Sequence, residues 1–107
     1  MAFHALEAAL DLVRAVRAPH RTVRDQHAPL ADQLLRAAQS VPLNVAEGSA
    51  LSGGRARNHY RIAHGSAREV EAALRTALAL EFLDDADVAD ALRLCDRLGA
   101  MLWRLTH

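Results

Sequence analysis

Apolar positions recur every three or four residues along most of the chain, and no segment alternates with a period of two. That pattern predicts four helices. Helix one is expected from about Ala2 to Ala18, with Phe3, Leu6, Leu10 and Val13 as its stripe, Leu12 and Val16 widening it, and Pro19 ending it. His20 to His27 is polar and Arg-rich and reads as a connection. Helix two is expected from about Pro29 to Glu47, with Leu30, Leu34, Ala38, Val41 and Val45 as its seam and Gly48 as its stop. Ser49 to Gly54 reads as a loop, in which Gly53-Gly54 is the strongest breaker.

Helix three is expected from about Arg55 to Phe82, along Tyr60, Ala63, Ala67, Val70, Leu74, Ala77 and Leu78. Gly65 falls inside it and suggests a close backbone approach. Asp84, Asp85 and Asp87 form an N-cap cluster for helix four, expected from about Ala86 to Leu105 along Val88, Leu92, Cys95, Leu98, Gly99, Leu102 and Leu105. Four amphipathic helices with short connections predict an all-α fold. The expected arrangement is one antiparallel, up-down-up-down four-helix bundle spanning residues 1–107.

Pro42 interrupts the second helix chemically but not in pattern. A proline inside a helix removes a donor and crowds the preceding turn, at about 3 kcal/mol. Yet Leu34, Ala38, Val41 and Val45 keep helical spacing across it, which favours one proline-kinked helix. The freed carbonyl near Ala38 then needs a donor, which Ser40 or Asn44 could help supply. The alternative is a new helix opening at Pro42.

Composition narrows the chemistry. Half of the residues are hydrophobic but only 4% are aromatic, which suits close-packed helices. Thirteen acids balance thirteen Arg, with no Lys, so strong non-specific nucleic-acid binding by a monomer is disfavoured. The balance is local, however. From Gly48 to Arg68 there is no acid, but four Arg and two His. Off the seams, Leu12, Leu35, Leu43, Leu80, Leu94 and Trp103 exceed what one small bundle easily buries, which points to self-association. Cys95 is the only cysteine, so no intrachain disulfide or Cys-based metal site is expected. It falls on the helix-four seam and is expected to be buried and inert. With no secretory signal and no apolar run near the roughly 18 residues a membrane span needs, the expected setting is cytoplasmic.

Two side-chain constellations stand out. Arg57, Arg61, His64, Arg68 and Arg75 project within roughly 60° of one another on helix three, where they can meet successive phosphates or an acidic partner. Glu71 lies one turn from both Arg68 and Arg75 and can neutralise either. Arg36, Ser40, Asn44, Glu47, Ser66 and Glu69 form the second set, expected to be a structural polar network between helices two and three rather than a catalytic site. Within it, Ser66 can bond back to the Ile62 carbonyl, and Asn44 and Glu47 can pair with Arg36 or Arg61. No metal or cofactor is expected. His59 and His64 are five apart, no Glu-x-x-His occurs, and the acidic run from Asp85 has Asp90 and Asp96 where a calcium loop needs Gly and Glu.

The run from Arg36 through Ser40-Val41-Pro42-Leu43-Asn44-Val45-Ala46-Glu47-Gly48-Ser49, followed by Ile62-Ala63-His64-Gly65-Ser66-Ala67-Arg68-Glu69-Val70-Glu71, resembles the signature of one family. These are the four-helix-bundle proteins encoded in intervening sequences of bacterial 23S ribosomal RNA, related to the accessory variability determinant of diversity-generating retroelements. The resemblance implies a homopentamer around a central channel and no catalysis. It also implies a basic surface for RNA or DNA, or for a partner such as a reverse transcriptase. After Gly48 this chain reads Ser49-Ala50-Leu51-Ser52-Gly53-Gly54, where relatives usually carry a further Gly and basic residues.

The expected function is therefore a non-enzymatic oligomer that presents the basic stripe to nucleic acid or to a nucleic-acid-handling partner. The alternatives are a purely structural oligomer, or a small metal-binding or enzymatic bundle using Glu47, Glu69 and His64.

Overall fold

A computed structural model describes residues 3–107. The chain forms four helices: α1 (Phe3–Gln26), α2 (Ala28–Ser49), α3 (Gly53–Ala79) and α4 (Asp85–Thr106). No strand occurs among the described residues. Each helix packs on its neighbours in sequence, and α1 also packs on α4, which closes a four-helix bundle. The long axis extends 42 Å, about the length of a single helix of this size, so the helices lie side by side. Ser40 meets Ser66, while farther along α2 Asn44 meets His59 and Gly48 meets Tyr60, both nearer the start of α3. These two helices run in opposite directions.

Helix α1 departs from expectation. It passes through Pro19 and ends at Gln26, while its predicted start at Ala2 lies outside the described residues. Pro19 leaves the Ala15 carbonyl without its helical donor, at about 3 kcal/mol. Opposing that cost, Val16 and Val23 are both core residues and Pro19 itself is buried. A fully buried valine contributes about 2 kcal/mol, so continuing the helix to reach Val23 offsets much of the loss. The inward stripe is also rotated from the predicted one. Ala5, Ala8, Ala9, Leu12 and Val16 face the core, Phe3 is exposed, and Leu6, Leu10 and Val13 are half-buried. Small alanines mark the inside because they let the neighbouring helices come close.

The predicted seams of α2 and α3 are buried except at Leu78, which is half-buried: Leu30, Leu34, Ala38, Val41 and Val45 on α2, and Tyr60, Ala63, Ala67, Val70, Leu74 and Ala77 on α3. Helix α2 is continuous through Pro42, which is buried, so no second helix opens there. Asn44 does not serve the Ala38 carbonyl; its amide donates to the carbonyl of Ser40 at 2.9 Å. Gly48 is not a stop either: it lies within α2, beside Tyr60. The predicted close approach at Gly65 is absent, since a β-carbon there would meet open space.

Helix α3 ends three residues before the expected Phe82. The Phe82 N–H reaches the Ala77 carbonyl at 2.9 Å and the Glu81 N–H reaches Leu78 at 3.0 Å. This is a Schellman cap, with Glu81 in the left-handed position at φ 62°. Helix α4 starts with a full capping box. Asp84 accepts from the Asp87 N–H at 3.1 Å and Asp87 accepts from the Asp84 N–H at 2.9 Å. His27 alone joins α1 to α2; its Nδ1 accepts from the Leu30 N–H at 3.2 Å, and its ring stacks on Phe82. The Gln26 amide donates to the Phe82 carbonyl at 3.0 Å, which ties the α1–α2 corner to the α3–α4 connection.

Leu12 and Leu94 belong to the core rather than to the surplus of exposed apolar residues, and Leu35 is half-buried. Leu43, Leu80 and Trp103 are exposed as expected, joined by Phe3 and Ile62.

Candidate functional site

All five residues of the basic stripe lie on α3, four of them exposed and His64 half-buried. Their charges are not equivalent. Glu71 sits between Arg75, at 3.0 Å, and Arg68, at 3.9 Å, and so neutralises the upper part of the stripe. Arg57 and Arg61 have no carboxylate within ion-pair distance among the described residues. Within the stripe, the charge without an ion pair therefore lies in the first turns of α3, where Arg55 adds another exposed guanidinium.

This end of α3 meets α4. A β-carbon on Gly99 would lie 3.6 Å from His64 Nε2. A groove of about 270 Å³ runs beside that contact, lined by His64, Arg68, Glu71, Cys95, Asp96 and Gly99. Its two carboxylates stand on the Arg68 side, away from Arg57 and Arg61. The Cys95 thiol is pushed up to about 12, first by burial and then by the negative charge of Glu71. It stays a neutral thiol and offers no nucleophile at physiological pH.

The polar set on α2 and α3 is only half assembled. Ser66 donates to Ser40 Oγ at 2.7 Å, Asn44 Nδ2 donates to the same oxygen at 3.0 Å, and His59 Nδ1 meets Asn44 Oδ1 at 3.0 Å. Because the Asn44 oxygen can only accept, His59 donates from Nδ1. Ser66 thus bridges helices instead of bonding back to Ile62. Arg36, Glu47 and Glu69 stand outside this chain: they are exposed and make no side-chain hydrogen bond or ion pair among the described residues. Arg36 and Glu69 line a shallow groove of about 260 Å³ beside Ser40 and Ser66. Their long side chains gain more from water than from a half-buried seam. His59 is not among the residues that helical spacing assigns to this network; the pairing of α2 with α3 brings it level with Asn44.

Among the described residues no group of three or more His, Cys, Asp or Glu converges on a point that would hold a metal. No helix among them is long and apolar enough to cross a membrane.

The model of the family described as 23S rRNA-intervening sequence protein matches residues 3–104. Among solved structures, the chain is similar to a protein of unknown function from the S23 ribosomal protein family of Bacteroides thetaiotaomicron. The similarity has a TM-score of 0.85 at 15% identity and covers 95% of this chain and 97% of that one. At that identity the likeness speaks for the four-helix fold. No curated protein matches the chain.

Proposed function

This chain belongs to the 23S rRNA-intervening sequence protein family, and from that premise we propose a non-enzymatic, self-assembling bundle that offers the Arg57–Arg61 end of α3 to nucleic acid or to a nucleic-acid-handling protein. The observation that carries this reading is the uncompensated pair Arg57 and Arg61, exposed within a stretch free of acids. Two guanidiniums one turn apart suit consecutive phosphates.

The assembly is a homopentamer, as the family resemblance implies, in a cytoplasmic setting with RNA, DNA or a reverse transcriptase as partner. Leu43 is 69% exposed and Ile62 43% exposed. The α2–α3 pairing sets both at the same level of the bundle, which supports burial between copies. A ring also repeats each Arg and strengthens a field that one neutral subunit lacks. Absence of catalysis is supported by the way Ser40, Asn44 and Ser66 spend their polar groups on one another. A second reading, a structural oligomer without nucleic-acid contact, is favoured by the neutral total charge and by Glu71 holding two of the five stripe residues.

Gel filtration with light scattering tests assembly, and a monomer at high micromolar concentration would overturn the ring. Salt-titrated binding to an oligonucleotide tests the surface. Replacing Arg57 and Arg61 together with Ala should flatten the slope of log affinity against log salt by roughly 1–2, while Arg75→Ala should change it little. An unchanged slope for the double variant would overturn nucleic-acid contact through this pair.

A further inference from the structure

Trp103 is the only tryptophan of the chain, and it is 54% exposed on α4. Its indole presents a large flat face, and half of it stays in water. Its surroundings are specific. The His107 ring lies parallel to the indole, with centroids 3.4 Å apart and planes 15° from parallel, and it backs one face.

The contact between Gly99 and His64 fixes what stands beside it. Moving from that contact toward the free Arg pair, Trp103 is one turn on from Gly99 and Arg61 is one turn back from His64. The two helices run in opposite directions here, since Glu71 faces Cys95 while His64 faces Gly99. Trp103 and Arg61 therefore lie at the same level, each on the side of its helix that borders the α3–α4 groove. Arg57 lies a further turn along, beyond Trp103. The groove's carboxylates, Glu71 and Asp96, are on the opposite side of the His64–Gly99 contact.

Resting on the nucleic-acid reading above, we infer that this end of the α3–α4 groove binds single-stranded nucleic acid, with Trp103 stacking on an unpaired base and Arg61 and Arg57 holding the flanking phosphates. The arrangement favours single strands over duplex for a chemical reason. An indole face is useful only to a base whose own face is free, and in a duplex those faces are already stacked. Stacking accepts any base, so the surface would show little sequence preference. Charge complementarity selects this occupant over an apolar peptide, because the stripe ends in guanidiniums with no carboxylate partner among the described residues.

Because Trp103 is the only indole, its emission reports on this one position. The full-length protein would be titrated with a thymidine homopolymer of about 20 nucleotides, and separately with the matching duplex. Saturable quenching by the single strand, and little by the duplex, is the expected result. In an anisotropy assay with the labelled strand, Trp103→Ala should weaken binding by at least about fivefold, while Trp103→Phe, which keeps a stacking face, should retain most of it. The inference fails if the strand binds in an Arg57- and Arg61-dependent way without quenching Trp103 and without loss in Trp103→Ala; the proposed function would then survive it. Equal quenching by duplex also overturns it. If neither nucleic acid binds, the inference fails, and of the proposed function only the form with a protein partner is left. The wild-type titration decides between these outcomes even if a variant misfolds.

Discussion

Gly48 of α2 lies directly against the ring of Tyr60 on α3: a β-carbon built on the glycine would stand 2.6 Å from Tyr60 Cε1 and 2.9 Å from Cδ1. No real β-carbon sits that close, and the Tyr60 ring is itself buried. The glycine is there to let an aromatic ring close the top of the α2–α3 pair. Gly48→Ala is expected to destabilise the bundle by about 1–3 kcal/mol through overpacking, despite the better helix propensity of alanine. Chemical denaturation measures this. Combining it with Tyr60→Leu should recover part of the loss, and strict additivity would show that the contact is not the cause.

The Ser66–Ser40 bond, at 2.7 Å, joins two helices through the hydroxyls of buried Ser66 and half-buried Ser40. Ser40→Ala leaves the Ser66 hydroxyl without its partner and is expected to cost about 1–3 kcal/mol. Replacing both serines removes the stranded group as well as its partner, so the double variant should lose less than the sum of the singles. A double-mutant cycle from urea midpoints reads the coupling.

Glu81 holds a left-handed backbone conformation, φ 62°, at the end of α3. A residue with a β-carbon pays about 1 kcal/mol there that glycine does not. Glu81→Gly should therefore raise stability by up to about 1 kcal/mol, whereas the same change at the exposed helical position Ala72 should lower it by a similar amount. Thermal denaturation of the two variants would show opposite signs.

Cys95 gives the stability curve an alkaline limb. Its thiol is pushed up from 9.0 to about 12 by burial and by Glu71. Above pH 9 the unfolded chain releases this proton while the folded one retains it, so the unfolded state binds fewer protons and stability falls as pH rises. The contribution is complete below pH 9 and is lost progressively up to about pH 12. Cys95→Ala should remove that part of the slope. In the native protein the thiol should also react with iodoacetamide far more slowly at pH 8 than in denaturant.

How far these features can be read in advance depends on whether their cause is local. The seams of α2 and α3 are visible because large apolar residues repeat across Pro42 without a slip. The same argument applied to Pro19 would have carried α1 to Val23, but the polar residues between hid the one valine that matters. The cap on α4 was legible because Asp84 and Asp87 act within a single turn. The end of α3 was not, since a glutamate in a left-handed position leaves no compositional mark. In the candidate site, the stripe and the moderating role of Glu71 were both visible from helical spacing. The Ser66–Ser40–Asn44–His59 chain was visible only in part, because spacing along one helix cannot say which rotamers meet across two.

By itself the sequence determined that this chain is helical, where its two central helices bury their faces, and which face of α3 is basic. Each of these follows from a repeat along one element. Only the tertiary structure decided that Gly48 is a packing glycine, that His59 rather than Glu47 completes the polar chain, and that Trp103 shares a level with Arg61. Those facts depend on the axial register of one helix against the next, which close packing of many small contacts sets jointly and no single segment encodes.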